Sequence, residues 1–300
     1  GPDFSPYRII YFIREFLKKK ITVVIVNVSK DMRTAGVAAW ILNIPIIHRL
    51  GAPGDLRNRY SVRATQRIFK PALLSCSEFV LQKLKDNIPV LNDYVFESIH
   101  PGIIPSSKPH KFVNLIRKII VTSQLNPDKG HIDLLNALTE LKKKKFVFKC
   151  VIAGTGTIED QLKQQCIKLR LEDDVKWYGF TTDVNSLLEE GDIFVLPSFE
   201  EPLGIALEEA MGYGLVPVAR KSGGVPEIWP VNYEEFLVNP EPGHHYIQKA
   251  LEKILSFNDQ ELLITKQKVQ IHASKTFHVD VQAKKFEKMI LGKVLSKSTN

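Results

Sequence analysis

Short apolar runs alternate along the whole chain with longer amphipathic segments. The runs are typical of buried parallel strands, and the segments between them have the period of helices. The first hundred residues predict three strands and three helices: strands at 21–27, 44–48 and 72–76, and helices at 33–42, 61–69 and 78–85. A second series follows residue 112: strands at 118–122, 146–153, 175–178, 192–196 and 216–219, with helices at 132–143, 158–169 and 184–189, and one that Pro202 opens and Gly214 closes. Three closing helices are expected at 244–255, 259–274 and 279–294.

This alternation of strands and helices predicts the fold class. Strands joined by helices of this length form doubly wound parallel sheets, so we expect an α/β protein. Residues 101–112 lack periodicity and are rich in turn formers, which predicts a domain boundary there. We therefore expect one domain at 1–103 and a second at 104–278, with a last helix at 279–296 that packs back on the first domain.

The helix that Pro202 is expected to open follows a buried strand directly. Its first turn would present the backbone amides of Leu203, Gly204 and Ile205 without intrahelical partners. Such amides, together with the positive end of the helix dipole, favour an anion. The sequence therefore predicts a phosphate site at this helix start.

Two glutamates flank the predicted phosphate site. Glu201 stands just before the first turn and Glu209 lies two turns along, so that their carboxylates would be roughly 10 Å apart along the helix axis. That span suits a ligand with a diphosphate in the middle and hydroxyl groups at both ends, as in a nucleotide sugar. Glu200 and Glu208 have the same spacing and form the second-choice pair.

The overall charge also favours anionic partners. The chain has 41 Lys and Arg against 33 Asp and Glu, a formal charge of +8. No zinc finger or other nucleic-acid module is found, so nucleic acid is not an expected partner. Residues 7–20 are aromatic, basic and amphipathic. They fit either contact with an anionic membrane surface or packing against the first sheet.

The apolar runs and the cysteines predict where the protein acts. No run of 18 apolar residues occurs, so no transmembrane helix is expected. The three cysteines, Cys76, Cys150 and Cys166, lack the paired spacing of disulfides or zinc sites. We expect reduced thiols and a cytoplasmic protein, either free or in peripheral contact with the inner face of the cell membrane.

The string from Pro197 to Ile228 resembles the E-x7-E segment of the family-4 retaining glycosyltransferases. The resemblance includes the Pro-Ser before the first glutamate, the Glu-Ala-Met after the second, and the Ser-Gly-Gly-Val-Pro-Glu that follows. It implies the GT-B fold, in which two Rossmann-like domains face a cleft. It also implies metal-independent transfer of a hexose or N-acetylhexosamine from a nucleoside-diphosphate sugar, with UDP favoured. The acceptor would be a glycan or lipid-linked, as in lipopolysaccharide and other polysaccharide biosynthesis. No further cofactor is expected, and no Asp-x-Asp metal motif occurs.

The same resemblance assigns roles to individual residues. Lys129 would grip the donor diphosphate and stabilise the charge that grows on it as the glycosidic bond breaks. Gln124 stands where the family usually has a second cation, an arginine. Glu201 would bind the hydroxyls of the donor hexose, Glu209 would bind the ribose, and His48 would face the transferred sugar.

Further contacts with the donor are implied for the loops of the second domain. The nucleotide would lie against the Gly-x-Gly turn, and the base would contact the backbone after the next strand, where Trp177 and Tyr178 are expected in the core. The Ser-Gly-Gly loop would close on the sugar side. The glycines and the aromatic residue concerned are Gly154 and Gly156, Gly179 and Phe180, and Gly223 and Gly224.

The resemblance is weakest at the N-terminus. Family members begin with a strand and a glycine-rich loop, whereas Gly36 is the only glycine here between Gly1 and Gly51. The first βαβ portion is therefore expected to be missing, because the chain is truncated, is a compact enzyme, or is completed by a protein partner. Two functions stay open: a glycosyltransferase, and a non-catalytic nucleotide-sugar-binding subunit of a two-component transferase.

Overall fold

The computed structural model describes residues 5–92, 94–107 and 113–298, with side-chain environments up to residue 292. The chain divides into two compact units. The N-terminal unit consists of Gly1–Pro101 and Asp280–Asn300, and the central unit consists of Gly102–Val279. Each unit has its own parallel sheet, so the predicted α/β architecture with two parallel sheets is confirmed.

Four parallel strands form the sheet of the N-terminal unit, in the order β1-β2-β3-β4. They are β1 Val24–Val26, β2 Ile46–Leu50, β3 Ala72–Ser75 and β4 Phe96–Ser98. The helices before β4 are α1 Pro6–Lys18, α2 Ser29–Asp31, α3 Val37–Ile41, α4 Tyr60–Phe69 and α5 Glu78–Asn87, with a π-helical turn at Met32–Gly36 between α2 and α3. The last helix of the chain, Val279–Ser298, places Met289 against Ile47, Ala72 and Leu74 of this sheet.

All three strands predicted for the N-terminal unit are present, with shifted ends. The edge strand β4 was not predicted, because its three residues are half-buried and form no apolar run. The predicted helix at 33–42 begins earlier, at Ser29, and contains the π-turn. Ser77 caps the helix that follows β3, since its side chain accepts a hydrogen bond from the amide of Val80.

The surroundings of helix α1 bear on whether residues 7–20 pack against the first sheet or contact a membrane. Ser5 caps the helix and Pro6 occupies its first position. Phe16 packs against the cluster around β1 and β2. In contrast, Tyr7 is 82% exposed and Leu17 is 62% exposed. One face of α1 is therefore a packing face, and the other is an apolar surface open to solvent.

The central unit is a six-stranded parallel sheet in the order β10-β9-β8-β5-β6-β7. Its strands are β5 Arg117–Thr122, β6 Phe148–Ala153, β7 Val175–Gly179, β8 Ile193–Leu196, β9 Val216–Arg220 and β10 Leu237–Val238. Its helices are α6 His131–Lys143, α7 Glu159–Lys168, α8 Val184–Glu189, α9 Ile205–Gly212, α10 His245–Leu255 and α11 Asp259–Thr276, after which the last helix of the chain is α12. The core between these layers includes Ile119, Val121 and Leu138, which are 0% exposed.

Strand order in the central unit defines where a ligand can bind. β5 is the first strand of this sheet, and its neighbours are β6 on one side and β8 on the other. Strands β6 and β7 are therefore added on one side of β5 and strands β8 to β10 on the other, so the strand order reverses beside β5. In open parallel sheets, ligands bind outside the carboxyl ends of the strands at such a switch point. The loops that follow β5 and β8 lie at this position.

Two predictions for the central unit need correction. The motif helix does not begin at Pro202: α9 starts at Ile205, because Gly204 takes a left-handed conformation with φ of 103° and caps it. Tyr178 was expected in the core but is 43% exposed, since side chains alternate along the edge strand β7 and Tyr178 shares its face with the exposed Lys176. Trp177, in contrast, packs against the core as expected.

No helix in the described ranges is both long and apolar enough to cross a bilayer.

Candidate functional site

Two loops of the central unit are locked together at the switch point. The first follows β5 and ends at Gly130, and the second follows β8 from Pro197. The amide of Phe199 donates to the carbonyl of Asp128 at 2.8 Å. Gly130 has φ of 68°, and a Cβ built there would lie 2.1 Å from the carbonyl oxygen of Pro197. Only glycine fits this contact, so the loops are fixed against each other by backbone packing.

Lys129 and Glu201 meet across these two loops. The Lys129 Nζ lies 3.2 Å from the Glu201 Oε2, and the two side chains are 18% and 16% exposed. The same ammonium lies 3.5 Å from a carboxylate oxygen of Asp128 and donates to the carbonyl of Glu200 at 3.4 Å. One cation thus stands among two carboxylates at the carboxyl edge of the sheet.

The first turn of α9 supplies the amides at this edge. Leu207 and Glu208 donate to the carbonyl of Gly204, as in an ordinary first turn. The amides of Gly204, Ile205 and Ala206 find no acceptor within the described part of the chain. The free donors are therefore shifted by one residue from the predicted set, and Leu203 is a buried residue ahead of the helix.

The position of the two motif glutamates differs from the expectation of a shared helix. Glu201 lies in the loop before Gly204, so the estimated spacing along one helix axis does not apply. Glu209 lies on α9 and is half-buried, where desolvation and then the neighbouring Glu208 raise the pKa of its carboxyl. Of the second-choice pair, Glu208 is fully buried and Glu200 is exposed. The first-choice pair is thus the one that has both carboxylates partly accessible.

Glycines in the neighbouring turns serve loop packing. A Cβ on Gly154 would lie 1.9 Å from the carbonyl oxygen of Ser123, and one on Gly156 would lie 2.3 Å from that of Leu125. The turn after β6 therefore rests on the loop after β5. Gly179, with φ of 76°, has open space around its Cβ position.

The remaining predicted contacts surround the same edge. Phe180 follows β7 and is 75% exposed. Gly223 lies in the left-handed region, with φ of 54°. The amide of Gly224 donates to the carbonyl of Glu201 at 3.0 Å, which ties the Ser-Gly-Gly loop to the motif. Gln124 accepts a hydrogen bond from Asn126 and carries no charge.

Arg220 links several parts of this region, and the sequence analysis did not predict its role. Its side chain is 0% exposed and forms an ion pair with Asp133 on α6. It also donates to the carbonyl of Pro197 at 2.8 Å, and its guanidinium lies 4.3 Å from the ring centre of Phe199. The signal that could have found it is a charged residue at the end of the buried run Val216–Ala219.

His131 also lies behind the Lys129 loop. Its Nε2 is 3.0 Å from the hydroxyl of Ser123. Burial, and then the positive charge of Lys129, lower the pKa of His131 to about 4. The ring is therefore neutral near pH 7 and does not compete with Lys129 for an anion.

His48 belongs to the N-terminal unit and does not lie at a strand end. It is the third of five residues in β2, and it is 0% exposed. Its Nδ1 lies 3.2 Å from the Nε2 of Gln66, and burial lowers the pKa of its ring to about 4. The expectation of a strand-end position is wrong because β2 continues to Leu50.

Within the described ranges, no group of three or more His, Cys, Asp or Glu side chains is arranged to hold a metal ion. The expected absence of a metal stays a prediction.

The fold agrees with a comparison against known proteins. The model of the family "Glycosyl transferases group 1" matches residues 106–270, and the chain belongs to that family. The matched residues contain the loops after β5 and β8.

A curated relative and two solved structures extend this result. The chain is 35% identical over 119 residues to the amylovoran biosynthesis glycosyltransferase AmsK of Erwinia amylovora, a match that covers 37% of this chain and 29% of that protein. A glycosyltransferase of Rickettsia africae shares the fold with a TM-score of 0.80 at 18% identity, over 98% of this chain and 83% of that one. Anabaena HepE in complex with UDP gives a TM-score of 0.76 at 18% identity, over 95% and 82%. The predicted GT-B class is confirmed by this likeness of fold.

Proposed function

We propose that the protein is a glycosyltransferase that moves a hexose or N-acetylhexosamine from a nucleoside-diphosphate sugar to a glycan or lipid-linked acceptor in polysaccharide biosynthesis. The observation that carries the proposal is the contact of Lys129 with Glu201 beside the first turn of α9. AmsK is named for amylovoran biosynthesis, and HepE has been solved with UDP and with UDP-glucose. UDP is therefore the first nucleotide to test as part of the donor.

The geometry supports a role for Lys129 in leaving-group departure. A diphosphate at the α9 amides would lie beside the ammonium, which would exchange its contact with Glu201 for the phosphate oxygens. A fixed cation stabilises the departing diphosphate more in the transition state than in the ground state. Lys129 and the amides together supply this stabilisation, so the proposed reaction is metal-independent.

The proposed reaction retains the configuration of the sugar. The bond between the anomeric carbon and the phosphate oxygen breaks, and the acceptor oxygen bonds to the same face of that carbon. The departing phosphate takes the proton of the acceptor hydroxyl. Glu201 orients the hexose through its hydroxyls, and Glu209 orients the ribose.

Contacts around the nucleotide complete the proposed donor site. The base would lie at Gly179 and Phe180, where the glycine has open space and the ring is exposed. Gly154 and Gly156 would form the floor under the nucleotide. The Ser-Gly-Gly loop would contact the sugar, since its Gly224 amide already holds the Glu201 backbone. His48 is left out, because no part of it is accessible.

A peripheral contact with an anionic membrane, at the inner face of the cell membrane, is also proposed, through helix α1. Tyr7, Tyr11 and Leu17 are 82%, 55% and 62% exposed, and Lys18–Lys20 follow them directly. This surface would hold the enzyme near a lipid-linked acceptor. Cosedimentation with vesicles of anionic lipid should exceed that with neutral vesicles, and Tyr11→Ser with Leu17→Ser should reduce it. Equal binding to both vesicle types would contradict the membrane contact.

A second function is favoured by one residue. Gln124 supplies no charge, and its side chain is hydrogen-bonded to Asn126. A donor site with one cation fewer fits a nucleotide-sugar-binding subunit that needs a protein partner for catalysis.

Turnover of nucleotide sugars separates the two functions. Hydrolysis of UDP-glucose and UDP-N-acetylglucosamine is measured with the unchanged protein, with Lys129→Ala, and with the control Lys168→Ala at the exposed end of α7. The enzyme is expected to lose about 10²-fold or more in turnover with Lys129→Ala and nothing with the control. Background turnover in all three with UDP still bound favours the binding subunit. Absence of UDP binding overturns both functions.

A further inference from the structure

Ser123 and His131 form a side-chain pair at the two ends of the loop that carries Lys129. Ser123 directly follows β5, the strand at the switch point, and His131 is the first residue of α6. The hydroxyl oxygen of Ser123 lies 3.0 Å from the Nε2 of His131. His131 is 1% exposed, whereas Ser123 is half-buried. The pair therefore connects the interior of the central unit with the edge where the proposed donor site lies.

The second ring nitrogen of His131 indicates which member of the pair donates. The Nδ1 is buried and has no hydrogen-bond partner among the described residues. The ring is neutral near pH 7, because burial and then the charge of Lys129 lower the pKa of His131 to about 4, so only one nitrogen carries a hydrogen. Buried N–H groups are rarely left without an acceptor, and buried acceptors are left unpaired somewhat more often. The hydrogen therefore belongs on Nε2, and His131 donates to the Ser123 oxygen.

This direction leaves the hydroxyl hydrogen of Ser123 free. A serine hydroxyl accepts with its lone pairs and donates one hydrogen. His131 occupies the accepting side of the oxygen, and no other hydrogen bond of this hydroxyl is found in the described part of the chain. The hydroxyl hydrogen has to turn away from the N–H of the ring. Ser123 is thus a donor without an acceptor at the carboxyl end of β5.

The backbone of Ser123 is held by the turn after β6. Its amide donates to the carbonyl of Ala153 at 3.1 Å, and a Cβ on Gly154 would lie 1.9 Å from its carbonyl oxygen. The next residue, Gln124, supplies no charge. The free donors at this edge thus include the Ser123 hydroxyl and the α9 amides, beside the ammonium of Lys129. Because ionised phosphate oxygens only accept, a diphosphate can take hydrogens from all of them.

We propose that Ser123 is a further donor-binding residue, which gives its hydroxyl hydrogen to an oxygen of the diphosphate, and that His131 is a positioning residue, which holds the hydroxyl in this orientation. The neutral pair adds a hydrogen bond where Gln124 adds no charge. The assignment rests on the proposed glycosyltransferase function, since it adds two residues to the diphosphate side of the same site. A hydroxyl of the transferred hexose is the competing acceptor, and the experiment separates the two.

Serine and histidine substitutions test the proposal by isothermal titration of UDP and of UDP-glucose into the full chain. Ser123→Ala removes the hydroxyl, and Ser123→Gly is a second truncation. The control is Ser256→Ala at the exposed end of α10, where the lost hydroxyl donates to the carbonyl of Glu252 at 2.8 Å. His131→Leu removes the ring N–H, and His131→Gln replaces it by an amide N–H. Thermal unfolding shows whether each variant is folded.

Both serine truncations should weaken UDP about tenfold, as the loss of one hydrogen bond to a charged group does, and UDP-glucose by the same factor. Ser256→Ala should leave both affinities unchanged. His131→Leu should weaken UDP about threefold in the unchanged protein and not at all in the Ser123→Ala background, because His131 acts only through the hydroxyl. His131→Gln should retain most of the affinity.

Three results would overturn the proposal. The first is that Ser123→Ala binds UDP as tightly as the unchanged protein; if Lys129→Ala is weakened in the same experiment, the proposed function stands without the pair. The second is a loss for UDP-glucose alone, since the hydroxyl then contacts the hexose. The third is an equal effect of His131→Leu in both backgrounds, which makes the ring a structural element only. Absence of UDP binding to the unchanged protein overturns the proposed function and the pair together.

Discussion

The two units of the molecule differ sharply in charge and in how their loops are held. The N-terminal unit has 20 lysines and arginines against 10 aspartates and glutamates, whereas the central unit has 21 against 23. The excess charge of the chain is thus absent from the unit that holds the candidate donor site. Anion recognition at the proposed donor site would depend on one positioned lysine and a helix start, since the excess of basic residues lies in the other unit.

Loop fixation follows the same division. In the central unit, the loops after β5, β6 and β8 rest on one another through glycine contacts, and Arg220 ties the loop after β8 to Asp133 on α6. In the N-terminal unit, the comparable edge contains the buried side chain of Gln66, whose Oε1 has no hydrogen-bond partner among the residues that the structure describes. The loops at the proposed donor edge are therefore fixed by backbone contacts before any ligand binds, and no such contacts between loops are described at the comparable edge of the N-terminal unit.

The largest effect is expected from Arg220→Met. This change leaves Asp133 without its ion-pair partner and removes the donor to Pro197, so the free energy of unfolding of the central unit should fall by about 3–5 kcal/mol. Hydrogen exchange resolved by unit measures it. Lys221→Met, at the adjacent exposed lysine, is the control and should be neutral. Equal loss of hydrogen-exchange protection in both units would contradict a role of Arg220 that is confined to the central unit.

Acid should destabilise both units through histidines whose pKa values are lowered by burial, His48 in the N-terminal unit and His131 and His272 in the central unit. His48 and His131 have pKa values of about 4 when folded, below the ordinary value of 6.5. The unfolded chain therefore binds more protons between these values, so stability is lost as the pH falls from about 6.5 towards 4, by up to roughly 3 kcal/mol per group. Chemical denaturation at pH 7 and pH 5 tests this.

The two histidines can be separated by substitution. His48→Gln should flatten the pH dependence of the N-terminal unit alone, and His131→Gln should weaken that of the central unit alone, where His272 contributes the remainder. A pH dependence that persists in both variants would assign it to other groups.

A smaller effect is expected from Gly130→Ala. The positive φ and the contact with the Pro197 carbonyl should cost about 1–3 kcal/mol and displace Lys129 from its loop position. Gly54→Ala in the N-terminal unit is the control, since no atom lies within 4 Å of its Cβ position. Thermal unfolding of the two variants compares them, and equal melting temperatures would refute the tight contact between the loops.

Local patterns predicted most of the central sheet and part of its site. Its buried strands are apolar runs, and the rule for carboxyl ends brought Lys129 and Glu201 to one edge although 72 residues separate them. The start of α9 was misplaced because Pro202 is a common first helical residue, while the backbone is turned at Gly204 instead.

Other features depend on tertiary contacts that no local pattern contains. The edge strands β4 and β10 have three and two residues, too few to form a period. Arg220 is recognisable only once Asp133 and Pro197, which are far away in the sequence, lie beside it. His48 is buried because β2 continues to Leu50. The sequence did not predict this extension, because the charged Arg49 interrupts the apolar run.

The proposed function depends most on the donor diphosphate lying between Lys129 and the α9 amides. Isothermal titration of UDP into the unchanged protein, Lys129→Ala and Lys168→Ala tests this directly. We predict that Lys129→Ala weakens UDP binding by about tenfold or more, a loss of at least about 1.4 kcal/mol, and that Lys168→Ala leaves it unchanged. Equal UDP affinity in all three proteins would contradict the proposed site.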